Sequence, residues 1–304
     1  MSGPLASQDR PSTVQVWLTA ARPRTLWAAV SPVIVGSSIA LRDHAFHGPS
    51  ALAALLGAIL IQIGTNLAND LFDHLHGADD NERVGPLRVT QAGWVTRRQI
   101  TIAMVTVFAL AILVGVYLVM RGGWPIVAIG LTSIAAAIFY TGGPKPYGYH
   151  GWGDLFTFVF FGPVAVVGSY YVQALSTTSV AWMGGVAMGA LVTSILVVNN
   201  ARDRQTDLRA GKRTMAVRLG PNGSASEYLL LLMTASIVPV VLVVGSEAPW
   251  TVLASSIAIL SARPTVSMLY RAPTPPQFNT ALAATARLTL WYALAFGIGI
   301  NIGM

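Results

Sequence analysis

Cysteine is absent from all 304 residues, which excludes disulfides and thiolate metal sites. Charge is scarce as well. Only 10% of the residues are Asp, Glu, Lys or Arg, against about 25% in a soluble domain. A chain with so little charge cannot present a water-facing surface all round. The short alternating segments of a transmembrane barrel are also missing. Residues 1–24 are polar, contain Asp9, Arg10, Arg22 and Arg24, and lack the apolar core and small-residue cleavage site of a secretory signal. There is no tandem repeat and no low-complexity tract.

What remains is apolar length. Hydrophobic residues make up 54% of the chain, and they recur in runs of about 18–25, each long enough to cross a bilayer as a helix. The runs predict an all-α integral membrane protein of about nine transmembrane helices, at roughly 25–41, 50–72, 99–120, 124–140, 154–174, 180–199, 227–246, 249–269 and 279–303. Gly122-Gly123, Gly142-Gly143-Pro144, Pro221-Asn222-Gly223 and the stretch from Pro273 to Pro276 punctuate them. Residues 1–20 read as an N-terminal cytoplasmic or interfacial segment, with a short surface helix at Val14–Leu18. Residues 21–304 read as one transmembrane domain.

The net charge is +7. Its basic residues crowd the loops after the even-numbered spans, while the loops after spans 1, 3, 5 and 7 carry only Arg42 and Arg121. That asymmetry is the positive-inside pattern, not a nucleic-acid surface. It places the N-terminus and the basic loops in the cytoplasm and, with nine spans, the C-terminus outside.

The acidic residues are more concentrated still. Asp70, Asp73, Asp79, Asp80 and Glu82 lie in the segment that closes span 2, and Asp203 and Asp207 in the segment that closes span 6, on the same predicted side. In the first segment Asn66, Asp70 and Asp73 share a helical face at spacings of four and three; in the second Asn199, Asp203 and Asp207 do so at spacings of four. Carboxylates at the end of an apolar helix need a partner or a purpose. One such segment reads equally well as a solvated helix end with loop ion pairs. Two on one side, each followed by glycine and basic residues, point to Mg²⁺, which takes one or two carboxylates and completes its shell with phosphate oxygens. The neighbouring Arg and Lys suit the remaining oxygens of a diphosphate.

Four stretches carry a resemblance to a known family: Ala21-Arg-Pro-Arg-Thr-Leu26; Asn69-Asp-Leu-Phe-Asp73 through Gly85-Pro-Leu-Arg-Val-Thr-Gln-Ala-Gly93; Tyr140 through Tyr149; and Asn199-Asn-Ala-Arg-Asp203 through Gly211-Lys-Arg-Thr to Gly220. The chain resembles the UbiA superfamily of membrane prenyltransferases, and within it the 1,4-dihydroxy-2-naphthoate polyprenyltransferases of menaquinone synthesis. The resemblance implies nine transmembrane helices around a central cavity, in agreement with the count above. Many members place a third Asp four residues after the second, where this chain has Gly77; Asp79 two residues further on is similar to the naphthoate branch.

The resemblance implies transfer of a polyprenyl group from polyprenyl diphosphate to 1,4-dihydroxy-2-naphthoate, with loss of CO₂, in a bacterial cell membrane. It implies Asp70, Asp73, Asp203 and Asp207 as Mg²⁺ ligands. Asn66, Asn69, Asn199 and Asn200 become further ligands or diphosphate contacts. Arg88, Lys145, Arg202 and Lys212 become diphosphate-binding residues, with Lys212 the best placed, and Asp79 extends the metal site or meets the aromatic. Tyr140, Tyr147 and Tyr149 read either as shields of an allylic cation or as interfacial anchors. Phe156, Phe158, Phe160 and Phe161 read as prenyl-tunnel walls or as lipid-facing packing. His74 and His76 read as proton-transfer candidates or solvated loop residues. Arg287 inside the last span reads as inward-paired or snorkelling, and Arg22 and Arg24 as headgroup anchors of span 1. The rival readings are another acceptor, such as 4-hydroxybenzoate, and a transporter with an acidic ion site.

Overall fold

The computed structural model describes residues 11–75, 88–271 and 273–302. A short helix α1 (Thr13–Ala21) opens it. The Ser12 hydroxyl accepts from the Gln15 amide, and the Gln15 side chain accepts from the Ser12 amide, a reciprocal cap that starts the helix there. Val16 and Ala20 are buried while Val14 and Leu18 are exposed, so the surface helix expected at residues 14–18 is present. It ends at Arg22, whose φ of 51° turns the chain into the first span.

Nine apolar helices follow among the described residues: α2 (Leu26–Arg42), α3 (Gly48–Leu75), α4 (Arg97–Gly122), α5 (Trp124–Phe139), α6 (Gly153–Ala174), α7 (Ser179–Arg209), α8 (Met215–Val244), α9 (Trp250–Leu269) and α10 (Pro275–Asn301). All nine expected spans have a counterpart. α5 is the short one. Its 16 residues make about 24 Å of helix, less than the roughly 30 Å hydrocarbon core.

Two expected boundaries move. Span 6, expected to end at residue 199, continues to Arg209, and Asn199, Asp203 and Asp207 lie on that one helix as expected. Span 7 begins at Met215, capped by the Thr214 hydroxyl. The Pro221-Asn222-Gly223 stretch, read as a loop, sits inside α8 instead. Gly220 adopts φ 72°, breaking the helix, and Pro221 restarts it from a position where its missing N–H is no loss.

The buried apolar residues form two clusters. One joins α2, α6, α7, α8, α9 and α10 around residues such as Ile39, Met188, Tyr228 and Phe296. The other joins α1, α3, α4 and α5 around Val16, Leu71, Ile100 and Phe108. Helix α7 is the axis of the larger cluster. It meets α6 backbone to backbone: a Cβ on Gly162 would stand 2.5 Å from the Gly185 carbonyl oxygen, and one on Gly189 would stand 2.6 Å from that of Phe158. Such close approach by small residues is how apolar helices associate without a hydrophobic driving force. At the contact itself α6 carries a π-turn, Phe160–Val164, around Gly162 and Pro163. Large apolar side chains such as Leu113, Met120 and Val244 lie exposed on the outer faces, as lipid contact requires. The chain is a multi-pass membrane protein.

Candidate active site

A cavity of about 1060 Å³ lies between the two clusters, walled by α3, α4 and α5 on one side and by α2, α6, α7 and α10 on the other. Its two ends differ in chemistry. On α5 the lining residues run from Ile126 to Tyr140, about 21 Å along a helix axis. The Ile126 end is apolar, while the Tyr140 end meets the polar termini of α3 and α7.

At the polar end Asp73 is the hub. Buried to 2% exposure, it receives Arg88 on Oδ2, and on Oδ1 the Tyr149 hydroxyl and Lys212 Nζ, the last at 3.1 Å. Arg88 is also tied to the Asn69 carbonyl at 3.0 Å. Lys212 stands 3.9 Å from Asp207 as well, so one ammonium bridges the two acidic segments. Its position follows from the turn that ends α7. Gly211 takes φ 75°, and the Lys212 amide folds back onto the Asp207 carbonyl at 2.8 Å. Lys212 also lies 4.4 Å above the Tyr149 ring, and the Arg213 amide donates to the Tyr149 carbonyl at 2.8 Å, pinning the loop between α5 and α6 beneath the site.

On α7, Arg202 grips Asp203 through Nε and Nη2, both at 2.7 Å, and reaches Asn199 at 2.9 Å and Asn279 of α10 at 3.1 Å. Asn199, Asn200, Arg202, Asp203 and Asp207 all line the cavity. The face read from the sequence for this helix is the face the fold uses.

On α3 the outcome differs. Asn66, Asn69 and Asp73 line the cavity and Asp70 does not. Asp70 is turned toward the segment at residues 88–90. It accepts from the Val89 amide at 3.2 Å, the Thr90 amide at 3.4 Å and the Thr90 hydroxyl. In this structure the Asp70 carboxylate holds the 88–90 segment. Asn69 and Asp70 flank the Asn66–Asp73 line by about 50° on opposite sides, so helical phase leaves the two equivalent, and the 88–90 segment packs on the Asp70 flank.

Other placements also depart from the reading. Lys145 is exposed and outside the lining, so it is not brought to the cavity. Phe156, Phe160 and Phe161 line the cavity, whereas Phe158 packs on Gly189 of α7. Tyr140, Tyr147, Phe156 and Phe160 form a continuous aromatic run, with successive ring centroids 5.4, 4.2 and 6.1 Å apart. Tyr147 donates to the Ala136 carbonyl at 2.9 Å, and burial pushes its hydroxyl above the ordinary range, keeping it a donor. His74 is exposed at the helix end, and Arg287 is exposed on α10, with Nε 3.3 Å from the Ala283 carbonyl. Asp79 and His76 lie outside the described residues.

Arg22 and Arg24, read as headgroup anchors, line the cavity instead. The elbow that carries them is fixed by Asn66, whose amide donates to the Ala21 carbonyl at 2.9 Å and to Thr25 Oγ1 at 3.0 Å. Gln62, Thr25 and Asn279 are among the polar lining residues that the sequence reading missed. Gln62 had a signal, lying one turn before Asn66 on the same face.

Among the described residues no three carboxylates or histidines converge tightly enough to form a metal cage by themselves. The donors present are nevertheless of the type Mg²⁺ prefers: Asp73, Asp203 and Asp207, with amide oxygens of Asn66, Asn69 and Asn199, around one open cavity end. A site that takes few protein carboxylates and leaves room for phosphate oxygens fits that ion.

Residues 29–291 match the UbiA prenyltransferase family. The chain is 43% identical over 286 residues to a 1,4-dihydroxy-2-naphthoate octaprenyltransferase of Mycobacterium tuberculosis, covering 92% of this chain and 97% of the relative. It is 32% identical over 298 residues to the enzyme of that name from Haemophilus influenzae, covering 95% and 97%. Among solved structures, a UbiA homolog from Archaeoglobus fulgidus bound to DMAPP and Mg²⁺ aligns with a TM-score of 0.65 at 15% identity, over 94% of this chain and 99% of that one. A UbiA homolog from Aeropyrum pernix aligns with a TM-score of 0.67 at 15% identity, over 91% and 97%. The transporter reading is therefore set aside: this chain belongs to the UbiA prenyltransferase family.

Proposed function

We propose that the protein transfers a polyprenyl group from a polyprenyl diphosphate to 1,4-dihydroxy-2-naphthoate, with Mg²⁺ and with loss of CO₂, giving demethylmenaquinol in a bacterial cell membrane. The observation that carries this reading is the Lys212 bridge between Asp73 and Asp207 at the mouth of an apolar cavity. A charged cluster at one end suits a diphosphate, and the apolar space beyond it suits a hydrocarbon chain. The relatives named for the naphthoate reaction support the acceptor.

Asp73, Asp203 and Asp207 would hold the metal, with Asn66, Asn69 and Asn199 completing its surroundings. Mg²⁺, when bound, supplies neutralisation of the charge that builds on a departing diphosphate. The protein's own part is positioning. Arg88, Arg202 and Lys212 are held by the same carboxylates, so they stand ready for phosphate oxygens, and preorganised cations need no rearrangement as charge develops. The aromatic run from Tyr140 to Phe160 leads from the charged end into the apolar one, and its ring faces suit an allylic cation. Arg22 and Arg24, on the α2 side, are the groups for an acceptor carboxylate, which a guanidinium engages through two parallel bonds. The Lys/Arg bias puts the polar end and the N-terminus on the cytoplasmic side and the C-terminus outside.

The test is a product assay on detergent-purified protein, with a prenyl diphosphate, either naphthoate or 4-hydroxybenzoate, and either Mg²⁺ or EDTA. The expected result is a prenylated, decarboxylated naphthalene product that disappears with EDTA. Prenylated hydroxybenzoate alone would overturn the acceptor.

A further inference from the structure

A glycine in a membrane-spanning helix usually lets a neighbouring helix approach. A Cβ on Gly64 would run into the Phe108 ring, and one on Gly297 would stand 2.4 Å from the Ser38 hydroxyl. Other glycines, such as Gly123 and Gly211, take a positive φ. Among the described residues, only Gly115 of α4 and Gly130 of α5 have neither reason. Both are helical, and a Cβ on either would meet no further group within 4 Å. Glycine is disfavoured against alanine in a helix interior. What these two positions provide is the space that a side chain would fill, and both line the cavity.

The two glycines stand at one height. Gly115 precedes Gly122 by as many residues as Gly130 follows Gly123, and the α4–α5 turn lies at Gly122–Gly123. That spacing puts each about 10 Å from the turn along its helix, and Gly130 about 15 Å from Tyr140 at the polar end.

Beyond that height the cavity is shut. The Tyr171 hydroxyl of α6 donates to the Gly122 carbonyl at 3.0 Å, and Arg121 Nη2 donates to the Gln173 carbonyl at 3.3 Å, tying the end of α4 to α6. Gly122 is itself packed, since a Cβ there would stand 2.7 Å from Ile126. At the height of the glycines the wall is open instead. Ile112 and Val116 beside Gly115, and Leu131 beside Gly130, line the cavity and are 52%, 52% and 63% exposed. A wall enclosed by neighbouring helices does not leave its side chains that bare, so the cavity meets the bilayer here.

Resting on the polyprenyl-donor reading, we propose that Gly115 and Gly130 determine which donor chain lengths the protein accepts, by leaving a gap between α4 and α5 through which hydrocarbon that outruns the cavity passes into the bilayer. With the diphosphate at the polar end, a tail shorter than the roughly 15 Å from Tyr140 to Gly130 ends before the gap and does not use it. A longer tail meets the shut end and has to leave between the two glycines. A geranyl tail is of the first kind and an octaprenyl tail of the second.

The experiment measures kcat/KM for geranyl diphosphate and for octaprenyl diphosphate on the full chain in lipid nanodiscs. Wild type is compared with Gly115→Leu, Gly130→Leu and the two matching alanine variants. A leucine fills open space at either site and clashes with nothing, so each variant should unfold near the wild-type temperature. The ratio of octaprenyl to geranyl kcat/KM should fall on the order of 10- to 100-fold in each leucine variant, the range over which small aliphatic groups discriminate in an apolar site. The alanine variants should stay within about threefold of wild type. The leucines fill the gap from facing helices, so either one carries the test if the other does not fold. A ratio unmoved by leucine, with both donors affected equally or not at all, overturns the gap. A ratio that falls as far with alanine as with leucine traces the effect to the helix backbone and overturns it too. Wild type that uses geranyl but not octaprenyl diphosphate overturns the gap alone. Wild type that transfers neither group to naphthoate or to hydroxybenzoate overturns the donor reading and the gap with it.

Discussion

The two acidic helix ends are neutralised in different ways. Asp203 on α7 is served by its own neighbour, Arg202, one residue away. Asp73 on α3 is served by Arg88, Tyr149 and Lys212, which lie 15, 76 and 139 residues away. The Arg202–Asp203 pair is a local unit carried by one helix, with Asn279 of α10 as its further partner. The α3 end exists only when the loop before α4, the loop before α6 and the turn after α7 have all arrived. Assembly of the polar end of the cavity is thus concentrated in one carboxylate.

The largest effect should come from breaking the hub. Asp73→Asn leaves Arg88, 6% exposed, without its counter-charge, and removing one member of a buried pair costs about 3–5 kcal/mol. Turnover should fall on the order of 10³-fold, at the upper end of what one lost electrostatic group removes. Prenyl transfer and thermal unfolding in detergent measure both. A variant with wild-type stability would show that the hub does not hold the three segments together.

Lys212→Ala tests the bridge. It removes the cation shared by Asp73 and Asp207 while leaving Arg88 on Asp73. Activity should fall on the order of 10²-fold, with a raised KM for the prenyl diphosphate and an unchanged KM for the aromatic acceptor. A change confined to the acceptor KM would move Lys212 out of the diphosphate site.

Asp70→Asn against Asp203→Asn sharpens the comparison. Asp70 faces Thr90 and the Val89 amide, so its loss should lower stability by about 1–3 kcal/mol, the cost of unsatisfied buried partners. The Mg²⁺ concentration needed for half-maximal rate should stay near that of wild type. Asp203 lines the cavity, so Asp203→Asn should raise that concentration several-fold with a smaller change in stability. A titration of activity against Mg²⁺ separates the two, and equal shifts in both variants would place Asp70 beside the metal after all.

The same contrast explains what was legible in the sequence. Nine apolar lengths predicted the nine apolar helices among the described residues, eight of them long enough to cross a bilayer, because bilayer thickness sets that signal. The Asn199, Asp203 and Asp207 face was readable because a single helix carries it. On α3 the readable quantity was only the Asn66–Asp73 line. Which flank, Asn69 or Asp70, meets the cavity depends on where α4 and the 88–90 segment pack, and that is tertiary information. Arg22 and Arg24 were misread for a similar reason. Their spacing before an apolar run is that of headgroup anchors, and only the left-handed turn at Arg22 and the Asn66 bonds to the elbow bring them into the cavity wall.

The smallest effect belongs to Lys145, and it tests motif against placement. Lys145 lies between Tyr140 and Tyr149, both of which line the cavity, and its position in that stretch made it a diphosphate candidate. Yet Gly143 takes φ 80°, and the chain around Pro144 to Pro146 turns so that Lys145 is exposed beyond the lining. A solvated lysine outside the cavity contributes only screened charge to events within it. Lys145→Ala should therefore leave stability within about 0.5 kcal/mol of wild type, and prenyl transfer should show no resolved change in either KM. Arg88→Ala, measured beside it, supplies the scale, because Arg88 is buried against the same cavity-lining carboxylate that Lys212 holds. If the two variants lose activity equally, the loop from Gly142 to Tyr149 must close over the donor during turnover, and Lys145 would then act in a conformation different from this one.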